Sequence, residues 1–370
     1  VDLDTAPDAI VESARVLQSP DIEILGNDLL TVDQLDEVLA AFRDLPLGAK
    51  RLKLLLRRLN ARLVEQGLLT SRAELRQVLL DEQRIEIELV PGRIEGLTAT
   101  ADENSERLWR AFPARSGDVL MLQDLEQGIH QINRLRLYEA RLDILPGSAT
   151  DLSQLRLHLS EQRPWRLNLG LDNQGAKSTG QLRARAGLRY ENALGLLDAT
   201  QIVLLRSEYS EAALASLAVP YGYNTWSLTA SGSRSEQRLP GRLRLDSESW
   251  SLIAGWHRVL GLSATARQAV DITFARTRTG REIAGAKLKS AHLSVLRSTL
   301  SLRGSGPGWI AYLQPSLSLG LPWLGATQDL DGLDPEDAHA QFTLPALYAG
   351  VLRNLSVAGL QLSGEVAAQA

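Results

Sequence analysis

From residue 165 to the end of the chain, apolar and polar residues alternate with a period of two. Trp165, Leu167, Leu169 and Leu171 are set against Arg166, Asn168 and Asp172, and Leu182, Ala184, Ala186, Leu188 and Tyr190 against Arg183, Arg185 and Arg189. Successive side chains of a strand point to opposite faces, so each run predicts a strand with one apolar and one polar side. The same alternation marks 225–233, 247–257, 262–274 and 309–319. In 262–274 the apolar set is Leu262, Ala264, Ala266, Val270, Ile272 and Phe274. Less regular runs at 198–209, 211–221, 285–302, 341–352 and 355–366 bring the predicted strands to eleven.

The first 160 residues mix two periods. Thr31 is placed to cap a helix over 31–43 whose inner face carries Leu35, Val38, Leu39 and Phe42. A second helix over 49–66 sets Leu52, Leu55, Leu56, Leu59 and Leu63 on one face and Lys50, Lys53, Arg57, Arg58 and Arg62 around the rest, and Gly67 ends it. Strand-like runs at 21–26, 75–80 and 84–90 flank this pair. The order strand, helix, helix, strand, strand then recurs over 93–100, 104–112, 122–135, 138–145 and 151–160. Two copies of a β-α-α-β-β module form a repeat of architecture, each a small two-layer α/β domain with an edge strand.

Strands of roughly nine to thirteen residues are long enough to span a bilayer at a tilt and exceed the mode of globular sheets. The apolar set is Leu, Ala, Trp and Tyr, with Trp226, Trp250, Trp256 and Trp309 placed as an aromatic girdle requires. The opposite set is Ser, Thr, Arg, Gln and Asp, which suits a hydrated lumen better than a packed interior. A spanning sheet must pair every backbone amide and therefore closes on itself. Eleven is an odd number, which single-chain bacterial barrels avoid, so the pattern predicts strands beyond those read here. A soluble sandwich or propeller and a fibrous repeat are the alternatives for this half. The predicted fold class is α+β modules followed by an all-β transmembrane antiparallel barrel.

Composition narrows the chemistry. A net charge of -4, from 40 basic and 44 acidic residues in 370, supplies no field for nucleic acid. The absence of cysteine excludes disulfides, thiolate metal sites and a Cys nucleophile. No window holds the roughly 18 to 20 apolar residues of a transmembrane helix, and the first residues carry no export signal. The five histidines (130, 158, 257, 292 and 339) form no metal-ligand motif, and no nucleophile elbow or phosphate loop is present, so an enzyme is not expected. GSGPG at 304–308 joins two strands and is read as a turn. The acidic run 327–339 has Gly332 at the fourth position instead of the sixth of a calcium loop, and is read as solvated. The basic helix at 49–66 could touch anionic lipid or an incoming substrate, but its apolar face most simply packs on a sheet. Neither metal nor cofactor is expected.

The segments GNDLLTVDQLDEVLAAF, LVEQGLLTSRAEL and VPGRIEGL resemble the first periplasmic POTRA domain of two-partner secretion transporters, outer-membrane barrels that export haemolysin- and haemagglutinin-type proteins. FPARSGDVLMLQDLEQGIHQINRL resembles their second POTRA domain, and LDNQGAKSTGQLR their first barrel hairpin, through Asp172, Asn173, Gly175 and Gly180. LAVPYGYNTWSL is similar to a later periplasmic turn. The resemblance implies a linker over 1–19, POTRA domains over 20–91 and 92–161, and over 162–370 the first eleven of sixteen barrel strands. The Val-Arg-Gly-Tyr or -Phe motif of the family's pore loop is not found, and no plug helix is evident. The implied function is a pore in the Gram-negative outer membrane, the implied partners being an unfolded exoprotein with an N-terminal secretion domain and outer-membrane lipid, with a monomeric chain. The client would add to a POTRA sheet edge at Leu75, Arg76, Gln77, Val78, Leu79 and Leu80. Arg166, Arg183, Arg185 and Arg189 would line the pore, or pair structurally with lumen acids. Two other functions fit parts of the pattern: a factor that assembles other barrels, and a soluble periplasmic binding protein with a β-rich C-terminal domain.

Overall fold

The computed structural model of the chain describes all residues except 1, 13–15, 19, 101–104, 239–242, 264, 335, 356–360 and 370. They fall into two compact units, residues 1–129 with 140–159, and residues 130–139 with 160–370.

In the first unit, β1 (Asp21–Leu25) leads to α1 (Val32–Leu39), a 3-10 turn over Ala40–Phe42, α2 (Ala49–Glu65), β2 (Arg72–Leu79) and β3 (Arg84–Val90). Thr31 caps α1 as the sequence predicts: its hydroxyl accepts from Gln34 N at 3.3 Å, while the Gln34 side chain accepts from Thr31 N at 2.9 Å. Strand β3 is central, parallel to β1 and antiparallel to β2. Its Ile85, Ile87 and Leu89 pack against Leu54, Leu55, Leu59 and Leu63 of α2, with Leu35 and Phe42 closing the core. The buried stripe therefore runs through Leu54, and Leu52 and Leu56 sit on its flanks, half-buried, where periodicity had placed them at the centre.

The N-terminal segment packs on this module. Glu12 supplies the N-cap that Gly48 cannot, its carboxylate accepting from Lys50 N at 3.2 Å and Arg51 N at 2.6 Å. Arg51 is buried and donates to the carbonyls of Pro7, Ile10 and Pro46, each at 2.7 Å. Leu17 bridges to Leu47, and Ile10 and Leu17 join the core.

The second module consists of β4 (Arg93–Ala99), α3 (Ser105–Trp109), α4 (Leu122–Asn133), β5 (Tyr138–Pro146) and β6 (Leu152–Glu161), in sheet order β4-β6-β5. The predicted helix start at residue 104 lies outside the described residues. Buried Ile94, Leu97, Leu108, Phe112, Leu120, Leu125, Leu155 and Leu157 form its interior.

The large sheet holds eleven strands in a continuous antiparallel path, the number that the alternation predicts: β7 (Trp165–Asp172), β8 (Arg183–Glu191), β9 (Ala199–Arg206), β10 (Ser210–Tyr221), β11 (Asn224–Arg238), β12 (Arg244–Leu262), β13 (Ala266–Ile283), β15 (Ala291–Gly306), β16 (Trp309–Gly320), β17 (Thr343–Asn354) and β18 (Gln361–Gln369). A two-residue strand, β14 (Ala286–Lys287), pairs with the end of β13. Residues 356–360 of the predicted strand 355–366 lie outside the described residues. The strand read over 262–274 is corrected. Leu262 ends β12, Ser263 N donates to Ala266 O at 2.8 Å and Ala266 N to the Ser263 hydroxyl at 3.0 Å, so a hairpin turn interrupts that run. Apolar alternation carried through the turn hid it, and Ala264 lies outside the described residues. Leu260, opposite the register shift between Val259 and Gly261, forms a bulge. Pro315, which has no N–H, sits where the β15–β16 ladder is interrupted.

Register assigns every strand residue to a face. Trp165, Tyr190, Thr200, Leu217, Leu228, Ala254, Phe274, Leu296 and Leu319 form one row of directly opposed residues. Neighbouring rows on that face hold Leu167, Leu188 and Ile202, and Trp226, Trp256 and Ile272. These side chains are exposed or half-buried, Trp226 being 58% exposed, and Leu169 on the same face is 74% exposed. An open apolar belt of this extent has no place on a water-soluble monomer and is the surface that lipid covers. The opposite face is polar and internally bonded. Ser251 and Thr277 hydroxyls meet at 3.0 Å, His257 Nδ1 and Asp271 at 2.8 Å, Arg297 Nε donates to Ser318 at 2.8 Å, and Tyr312 to Glu365 at 2.7 Å.

Candidate functional site

The first site is the edge of the sheet β1-β3-β2. Among the described residues strand β2 pairs only with β3, and the side chains of Glu74–Val78 are exposed. Leu75, Arg76, Gln77, Val78 and Leu80 are exposed and Leu79 is half-buried. A register shift between Leu75 and Gln77 makes Arg76 a bulge, a common device on edges. Its guanidinium lies 3.8 Å from Glu88, and Gln77 donates to Glu86 at 2.7 Å. The beginning of the edge is occupied. Asn60 of α2 acts as a short surrogate strand, its Oδ1 accepting from Ala73 N at 2.9 Å and its Nδ2 donating to Ala73 O at 3.2 Å. The open part of β2 therefore starts after Ala73. Sequence reading passed over Asn60 because a lone Asn on a helix carries no signal of what it meets.

The second site is the polar face of the first strands. Arg166 and Arg189 stand directly opposite each other, Arg185 faces Gly170 and Arg183 faces Asp172, all on the face away from Trp165. Arg183 Nε donates to Asp172 at 2.8 Å, and Arg189 Nε lies 2.9 Å from Glu191. Glu191 is buried and also accepts from Leu137 N at 2.6 Å. Leu137 belongs to residues 130–139, which form one compact unit with the sheet. Within that unit Gln131 donates to Gly222 O at 3.1 Å and Arg134 to Leu197 O at 3.2 Å. Burial, then the cations Arg267 and Arg134, hold the His130 imidazole below its ordinary pKa.

The hairpin residues Asp172, Asn173, Gly175 and Gly180 shape the connection from β7 to β8. Asp172 accepts from Gln174 N at 3.0 Å as well as from Arg183, closing an Asx turn. Gly175 N donates to Gln181 O at 2.8 Å, and a Cβ on Gly175 would run into Gly180 O. Gly180 has φ +103°, and a Cβ there would lie 2.6 Å from Glu208 Cβ. Both glycines let this turn pack on the next one, where Thr179 O accepts from Tyr209 N at 2.9 Å and from the Ser207 hydroxyl at 2.7 Å.

In the acidic segment 327–339, Asp329 accepts from Ala340 N at 2.7 Å and Gln341 N at 3.0 Å, and lies 3.3 Å from His339 Nδ1. Those two backbone donors hold its carboxyl below the usual range. No group of three or more potential ligands among the described residues could hold a metal ion.

A lipid-facing antiparallel sheet behind two β-α-α-β-β modules defines an outer-membrane β-barrel with periplasmic POTRA domains. Residues 151–370 match the family model described as haemolysin secretion/activation protein ShlB/FhaC/HecB, residues 19–92 the ShlB-type POTRA domain, and residues 93–146 a POTRA domain. The chain belongs to this haemolysin secretion/activation family. It is similar to the outer membrane transporter CdiB of Dickeya dadantii, 31% identical over 304 residues, which cover 77% of this chain and 53% of that protein. To the hemolysin transporter protein ShlB of Serratia marcescens it is 28% identical over 364 residues, 95% of this chain and 64% of that protein. The chain thus spans about half to just under two thirds of these relatives. Among solved structures, CdiB from Escherichia coli superposes with a TM-score of 0.86 at 25% identity, covering 99% of this chain and 71% of that one. CdiB from Acinetobacter baumannii, at 16% identity and a TM-score of 0.76, has the same fold.

Proposed function

We propose that the protein is the transporter of a two-partner secretion system, in which the POTRA domains capture an unfolded exoprotein in the periplasm and the barrel passes it to the cell surface. The observation that carries this reading is that one chain combines an open β2 edge with a lipid-facing sheet. An extended client adds to such an edge through backbone hydrogen bonds, which demand no single sequence. Leu75, Val78 and Leu80 offer apolar contacts to alternate side chains, while Asn60 fixes where the added strand must stop. The transporter names of the Dickeya and Serratia relatives support this reading. No nucleotide or cofactor enters it; folding of the client outside the cell supplies the direction.

The test is Leu75→Pro. Leu75 pairs with Ile87 in the register by which Ala73 pairs with Leu89, so its N–H points, like that of Ala73, to the open side. Proline there removes a donor from the free edge and none from the ladder. Expected is loss of exoprotein from the culture medium at unchanged outer-membrane level of the transporter. Unchanged secretion would remove β2 as the capture edge, and a fall in other outer-membrane proteins would favour the assembly role instead.

A further inference from the structure

A cation lies on the outward face at the end of the apolar belt. Strand parity puts Arg276 on the face of Phe274 and Ile272, with Ser294 of β15 directly opposite. A cation on the lipid face costs on the order of 2–4 kcal/mol at the bilayer midplane and only about 0–1 kcal/mol near the interface, so its place is the edge of the belt. Here the chain itself covers it. Beyond Gly320, residues 321–327 run back along β15, Leu321 N donating to Ser294 O and Thr327 N to His292 O, both at 2.8 Å, and His292 N donating to the Thr327 hydroxyl at 2.9 Å. Under this strap Arg276 donates to Gly325 O at 2.9 Å and to Ser294 Oγ at 3.2 Å, with His292 Nδ1 at 3.2 Å. Ser294, fully buried, donates in turn to Trp323 O at 2.8 Å.

The strap's own outer surface is apolar. Trp323 lies over Phe274, ring centroids 6.4 Å apart, yet is 55% exposed, and Leu324 is 72% exposed. Leu324 has φ +53°, a left-handed conformation costing roughly 1–2 kcal/mol for a residue with a Cβ. A loop lying in water gains nothing from holding a leucine this way. The strap belongs to the end of the sheet that carries the long connections 173–182 and 321–342, whereas 222–223 and 307–308 close the other end tightly. In outer-membrane barrels the long connections are extracellular.

We infer that residues 321–327 form a lipid anchor in which Trp323 and Leu324 enter the outer leaflet at the headgroup–acyl boundary, with half-buried Arg276 as the staple that holds them there. The occupant of this surface is membrane lipid because the strap continues, through Phe274, the belt that lipid already covers. Trp is the residue that prefers such a boundary. The inference rests on the barrel reading, and the test separates the two.

The test uses the full-length protein with a single cysteine at Leu324→Cys, Leu228→Cys or Ala338→Cys, each carrying an NBD fluorophore, refolded into phosphatidylcholine vesicles. This chain contains no cysteine of its own to interfere. Expected is quenching of the label at 324 by spin-labelled lipid, as at 228 on the belt, and protection from iodide, with the reverse at 338. Iodide access at 324 equal to that at 338, without lipid quenching, overturns the anchor. Loss of lipid quenching at 228 as well overturns the barrel reading beneath it. Arg276→Gln should abolish lipid quenching at 324 and leave 228 unchanged; quenching retained at 324 refutes the staple. Thr327→Val, which removes only the His292 contact, should weaken quenching at 324 in the same direction should Arg276→Gln fail to fold, and no change there refutes the staple equally.

Discussion

Arg51 shows how a single side chain can join separate stretches of chain. Its guanidinium satisfies three carbonyls from two segments, Pro7 and Ile10 on one and Pro46 on the other. Arg51→Ala would orphan all three, and hydrogen bonds to a charged donor are worth about 1.5–3 kcal/mol each before relaxation. We expect faster amide exchange and proteolysis across residues 5–12, with a loss of about 3 kcal/mol in stability of the first module by denaturant unfolding. None of this was legible in the sequence. In the heptad-like run of α2, Arg51 is one cation among six between residues 50 and 62, and nothing in the spacing separates it from Lys50 or Arg57. The same holds for Asn60, whose bonds to Ala73 depend on a strand 13 residues away.

At the scale of elements, alternation was a sufficient guide wherever strands cross lipid and a poor one where they leave it. β12 and β13 extend to Arg244 and Ile283, well past the predicted 247–257 and 262–274, through Asp246, Arg278 and Arg281. Outside the hydrocarbon a strand has no obligation to alternate, so its ends carry no period-two signal. The turns are decided by local geometry instead. Gly180→Ala places a Cβ at φ +103° against Glu208, at a cost of about 2 kcal/mol or more. The expected result is a lower refolding yield in vesicles, read as loss of the heat-modifiable band on electrophoresis, with an intact first module. The loop after β16 responds to acid. Because Asp329 has its pKa lowered in the folded loop, its contribution is present above the ordinary value of 3.8 and is lost as pH falls through the folded value. Hydrogen exchange at Ala340 and Gln341 should be constant from neutral pH down to about pH 4 after correction for intrinsic rates, and rise below it. Protection already lost well above pH 4 would show that the Asp329 carboxylate does not control the loop.

For the whole molecule, what the sequence displayed best was the sidedness of the sheet. Trp165, Leu167 and Leu169 fall on the lipid side and Arg166, Arg185 and Arg189 on the other because register, once set in the first hairpin, propagates through every ladder. Arginines on the inner wall of a conducting barrel set its ion preference. Replacing Arg166, Arg185 and Arg189 together by Gln should move the reversal potential of the full-length pore in a salt gradient toward cations, with conductance retained. An unmoved potential would place these side chains away from the ion path. The N-terminal segment has a mechanical consequence. Residues 7–12 are tied to the start of α2 and Leu17 to Leu47, both ahead of β1 in the chain. Any tension arriving from the N-terminus is therefore borne first by the helix at the heart of the first POTRA module. Strand β1 is reached only after those ties yield, so a tug on this end is felt by the core of the module before it can peel the sheet.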